Sequence, residues 1–182
     1  MTLYKEVLST AETDECFNGV GNPYPALPCN ECQPKINQEY LFSMAKNGND
    51  IWFGTSANQF CTVVGTFLDT ITSVAGFSIL SDSFVCEFGR SDFRNNYVPT
   101  NSYLSELPAP LGDWRPPKIY LYNTQTKTRI DKTPADVLIN DTLGIRSSGI
   151  SGDTVIMGGP NLISSYLGAT EGAAINLFVF RA

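Results

Sequence analysis

Cys29-Asn-Glu-Cys32 sets two thiols at the spacing of a redox dithiol, a haem-attachment site or half of a zinc knuckle, with Cys16 upstream. A redox dithiol needs a strand running into a helix whose N-terminus lowers the first thiol. Pro28 and Pro34 flank this motif instead, and no strand–helix pattern surrounds it. Haem attachment needs a histidine next, where Gln33 stands, and a zinc knuckle needs a second ligand pair. The motif is therefore read as structural, with Cys16 bridged to Cys29 or to Cys32. Cys61 and Cys86 lie in the strand-like runs QFCTVVGTF and SFVCEFG and are expected to pair across neighbouring strands. Five cysteines leave one over.

Histidine is absent from the whole chain. That removes the usual general base, the Ser-His and Cys-His nucleophile pairs and histidine-ligated metals. Acid–base chemistry would fall to carboxylates. Asp50, Asp69, Asp82, Glu87, Asp92, Asp113, Asp131, Asp136, Asp141 and Asp153 include no pair at a dyad spacing and no calcium-loop pattern. Asp50 and Asp153 follow turn glycines and are read as turn caps. Gly158-Gly159-Pro160-Asn161 offers small residues where backbone approaches closely, but no phosphate-binding glycine motif occurs. No catalytic residue, no metal site and no cofactor is expected.

Binding chemistry has better material. Aromatic and arginine residues concentrate between 88 and 122, and a proline-rich stretch at 90–117 reads as a long insertion. Loops of this length are usually functional or disordered. Trp, Tyr and Arg dominate interface hot spots, so Tyr97, Tyr103, Trp114 and Arg115 are the candidate contact residues. The same side chains would also serve to pin the loop to a sheet.

The elements that must carry these residues are strands. The chain is 12% aromatic and only 16% charged, and its 182 residues suit one domain. A net charge of −6 without any basic run argues against nucleic acid. No apolar run approaches the roughly 18 residues of a membrane span. Residues 1–35 hold a Cys/Pro-rich head, expected to form an extended cap, and residues 36–182 a β domain interrupted at 90–117. Within it, KNGNDIWFGT at 46–55 and ISGDTVIMGG at 150–159 each run turn, apolar strand, glycine. KIYLYNTQTKTR at 118–129 and INLFVFRA at 175–182 supply a further alternating strand to each. The first unit continues through a polar turn at Asn123–Lys127 into Thr128-Arg129-Ile130, whereas the second stops at Ala182.

These segments resemble β-propeller proteins of the YVTN, kelch and quinoprotein-like kind. NDIWFGT and GDTVIMGG match inner blade strands, and KIYLYNTQTKTR matches an outer strand pair. The resemblance implies an all-β fold of propeller-like four-stranded antiparallel units, with an incomplete propeller or a β-sandwich as alternatives. The cap cysteines suit an oxidising compartment, although MTLYKEVLST has no hydrophobic signal core. The function expected is an extracellular or periplasmic, non-catalytic binding or assembly module. Its partner would be a protein, or a second copy, joined through the C-terminal edge strand. One alternative is a portion of a propeller enzyme, lactonase-like or quinoprotein-like. Another is a structural subunit that completes its sheet with a neighbour.

Overall fold

The computed structural model describes residues 9–17, 27–38, 40–57, 115–161 and 175–181. Among them nine strands form three antiparallel sheets, none closed, with one short helix. The all-β expectation holds at that level. The strand-like runs at 59–68 and 83–89 lie outside the described residues.

The described residues divide into two compact units. One takes in 9–12, 41–55, 117–161 and 175–181, and the other takes in 13–17, 27–38, 40, 56–57 and 115–116. The second contains a small ribbon. Strands β1 (Glu15–Phe17) and β2 (Gln33–Lys35) pair antiparallel, with Cys16 opposite Pro34.

The larger unit is built on two hairpins. Strands β3 (Tyr40–Asn47) and β4 (Asp50–Ser56) turn at Gly48, and β7 (Ser147–Ser151) and β8 (Thr154–Pro160) turn at Gly152. Both glycines have positive φ, +58° and +62°, a conformation that side chains with a Cβ resist. Strand β5 (Ile119–Asn123) pairs with β4, and β6 (Thr128–Asp131) pairs with β5. The β5–β6 turn is held by Asn123, whose Oδ1 accepts from the backbone N–H of Gln125 and Thr126. Strand β9 (Ile175–Arg181) pairs with β8 along its whole length. The orders are β3-β4-β5-β6 and β7-β8-β9.

The core joins these two sheets. Ala45, Trp52, Ile119 and Leu121 come from the four-stranded sheet, and Val155, Met157 and Phe178 from the three-stranded one. Trp52 meets the half-buried Phe180 with ring centroids 4.9 Å apart. Ile139 and Ile145 complete the cluster. Ile139 lies on helix α1 (Val137–Asn140), which Asp136 caps by accepting from Leu138 N. The chain then threads between the hairpins. Ile145 N donates to Thr55 O, while Arg146 N donates to Gly158 O.

That thread explains glycines near the ends of both hairpins. A Cβ on Gly54 would lie 2.3 Å from Ile145 Cβ, and one on Gly159 would lie 1.8 Å from Gly144 O. The small residues at 158–159 make room for this chain's own backbone.

The matched segments present opposite faces to the core. Aligning the two turns sets Ile51 against Val155 and Trp52 against Ile156. Yet Trp52 and Val155 are the buried ones. Likewise Ile119 and Leu121 point inward on β5, whereas Leu177 and Val179 point outward on β9.

Candidate functional site

In the ribbon the cysteine alternatives resolve. Cys16 and Cys29 form a disulfide, and Cys32 is a free, half-buried thiol. All three Sγ atoms lie within 4.8 Å of one another. Asp14, just before β1, is the ribbon's second fastening. Its carboxylate accepts from Asn37 N, Asn37 Nδ2 and Gln38 N at 2.9–3.1 Å. Burial raises the Asp14 pKa above its ordinary value, the more so beside Glu15, and these hydrogen bonds offset only part of the rise.

Arg115 lies in the same unit. It is 7% exposed, and its Nε donates to Glu15 Oε1 at 2.6 Å. The structure thus places this candidate contact residue in a buried ion pair. Tyr97, Tyr103 and Trp114 lie outside the described residues, as do Cys61 and Cys86.

On the four-stranded sheet an open polar groove of about 460 Å³ runs over β5 and β6 beside Ser9–Glu12. Arg129 dominates it. Its guanidinium lies 5.0 Å from the centroid of the Tyr120 ring, donates to Thr10 O at 2.6 Å and pairs with Glu12 at 2.7 Å. At the rim Asp131 takes a 3.3 Å ion pair from Lys118. Burial tends to raise the Asp131 pKa, but hydrogen bonds from Thr133 and the Lys118 charge outweigh it and leave the pKa lowered. These side chains are already engaged with one another, so the groove is a fastening for residues 9–12.

The third region is β9. Its inward residues include Asn176, 4% exposed and at the centre of a polar knot. Asn176 Nδ2 donates to Thr142 Oγ1, Leu138 O and Asp141 O, and Oδ1 accepts from Asn161. Its outward residues Ile175, Leu177 and Val179 are 55%, 60% and 64% exposed. Among the described residues β9 has a partner only on its β8 side. One flank of its backbone therefore has no strand partner among the described residues.

The remaining carboxylates stand apart. Asp50 accepts from Asn123 Nδ2 at 2.6 Å, Asp136 caps α1, and Asp153 accepts from Thr154 Oγ1. Asp136 thus caps a helix, whereas the hydrogen bonds of Asp50 and Asp153 go to side chains and not to the turn backbone that a capping role expects. Among the described residues no helix is long and apolar enough to cross a membrane.

Asn176 and Asp14 were not singled out by sequence reasoning. A polar residue on the inward phase of an alternating strand was the available signal for Asn176. Asp14 carried no such signal, because its partners lie more than twenty residues away. No family model, curated protein or solved structure matches this chain.

Proposed function

We propose that this chain is an extracytoplasmic, non-catalytic assembly module of propeller-like construction, and that it acts through the outer face and free edge of β9. The observation that carries this reading is the row Ile175, Leu177 and Val179 on a strand with one open flank. Exposed apolar residues in a continuous row on a sheet edge favour addition of another strand. The Cys16–Cys29 disulfide supports an oxidising compartment. The lack of histidine and the engaged carboxylates support a role without catalysis.

The opposed faces of the two hairpins support propeller-like stacking. Blades related by rotation pack one face onto the opposite face of the next. Trp52, Ile119 and Leu121 pack on Val155 and Phe178 within the chain. By sequence position the outer residues Ile156, Leu177 and Val179 match Trp52, Ile119 and Leu121. The outer face of β7–β9 is therefore of the kind that already packs on a sheet here. A second copy of this chain is the occupant proposed.

Sedimentation over a range of concentrations tests this, with hydrogen exchange on the amides of 175–181. Wild type should self-associate, and Leu177→Lys with Val179→Lys should be monomeric, folded, and have a melting temperature that does not depend on concentration. A wild-type monomer would overturn the proposal. Slow 175–181 amides in that monomer would place the cover within the chain; fast ones would leave the edge bare. The enzyme alternative predicts turnover of lactones or quinone dyes by the full chain. A rate abolished by one carboxylate substitution would favour it instead.

A further inference from the structure

We propose that Cys32 is the nucleophile of an intramolecular thiol–disulfide exchange that moves the bridge from Cys16–Cys29 to Cys29–Cys32. The three Sγ atoms lie within 4.8 Å of one another, so a side-chain rotation suffices to bring the free thiol onto the disulfide. The exchange needs no oxidant. Cys32 loses its proton to water, and the thiolate electron pair forms a new bond to Cys29 Sγ. The old S–S bond breaks, and its electron pair leaves on Cys16 Sγ, which takes a proton from water. One disulfide and one thiol stand on each side of the reaction.

Chain spacing favours attack on Cys29. Cys32 lies in the bend just before β2, three residues from Cys29 and sixteen from Cys16. Cys29 and Cys32 stand in a Cys-x-x-Cys, the spacing of exchange-competent dithiols. The thiol released, Cys16, is fully buried on β1, where a neutral thiol is well accommodated.

The exchange has a defined structural effect. The Cys16–Cys29 bridge ties residues 27–32 to β1, and a Cys29–Cys32 bridge does not. Asp14 still holds Asn37 and Gln38 through three donors. The reaction therefore unlatches the loop before β2 and leaves the β1–β2 pairing fastened at its other end.

The test uses the full chain, incubated between pH 5 and pH 8.5, then acid-quenched, denatured, labelled with a maleimide in acid and mapped by peptide mass. Label should fall on Cys32 at pH 5 and move in part to Cys16 with time at higher pH. The rate should rise about tenfold per unit between pH 5 and 7, because only the thiolate attacks. Cys32→Ser should never release Cys16. A second measurement guards against an exchange too one-sided to see. Cys16→Ser treated with glutathione disulfide should close Cys29–Cys32. Mixed disulfides that persist on both cysteines would overturn the proposal. So would Cys16 label appearing equally in Cys32→Ser, or Cys32 found bridged to Cys61 or Cys86.

Discussion

The last strands of the two sheets of the larger unit, β6 and β9, make contrasting edges. Strand β6 is short and largely polar. Its Arg129 is tied to Thr10 and Glu12, its Asp131 to Lys118, and Ile130 is its one exposed large apolar residue. Strand β9 is longer and presents Ile175, Leu177 and Val179 outward, with only Arg181 as a charge. Charge and brevity are how proteins blunt an edge against further pairing, and β6 shows both. Strand β9 is held on its inner side by the Asn176 hydrogen bonds and exposes an apolar row on its outer side. Under the proposed function the apolar row of β9 is the contact surface, whereas the charged side chains of β6 blunt that edge.

Moving the backbone beneath β9's partner strand should give the largest effect. Gly159→Ala brings a Cβ to 1.8 Å from Gly144 O and 2.8 Å from Thr142 Cγ2. Carbonyl backbone cannot rotate away, so the β8–β9 platform must shift. A loss of about 3 kcal/mol is expected in urea unfolding. Gly48→Ala, in a turn with nothing within 4 Å, should cost only about 1 kcal/mol, from its positive φ. If Gly159→Ala is as mild as Gly48→Ala, the thread over β8 is loose and β9 is not rigidly presented.

The inner fastening of β9 comes next. Asn176→Leu leaves Asp141 O and Thr142 Oγ1 without their Nδ2 donor, while Leu138 O keeps Thr142 Oγ1 and Asp141 N. Stranding buried acceptors costs about 1–3 kcal/mol, and about 2 kcal/mol is expected here. The variant should also speed exchange of the β9 amides more than those of β5. Equal acceleration in both strands would show that the knot stabilises the whole unit and does not specifically seat β9.

Much of this fold was legible in the residues. Period-two alternation in IYLYN and INLFVF located β5 and β9, and Gly48 and Gly152 marked the hairpins. What was not legible depends on distant backbone. The Asn176 partners belong to α1, to the segment after it and, in Asn161, to the residue just after β8. Asp14 takes its donors from residues 37 and 38, and Arg115 takes Glu15 from a hundred residues away. Local pattern cannot specify such pairs. Nor did it show which alternating face turns inward, because Ile119 and Leu177 are equally apolar and only the opposing sheet separates them. The capping role of Asp136 is local, yet a helix of four residues leaves almost no periodicity to read.

The smallest effect concerns the charged β6 edge. The Asp131 pKa is lowered in the folded chain, so its contribution is present above the ordinary carboxylate value of 3.8 and is lost as pH falls through the lowered one. Lys118 and Asp131 are both well exposed, so the pair is worth less than about 1 kcal/mol. Asp14 works in the other direction. Its pKa is raised chiefly by burial, so the folded state binds its proton more readily, and stability gains at that site as pH falls through the raised value. The wild-type stability curve below pH 5 therefore mixes two opposed carboxylates, and only a difference between variants separates them. Asp131→Asn should be slightly less stable than wild type at pH 6, and the gap should close below the ordinary carboxylate range. A gap that does not narrow as pH falls would mean that the side-chain geometry of Asp131, not its charge, finishes the β6 edge. The contrast with the uncharged face of β9 would then rest on shape.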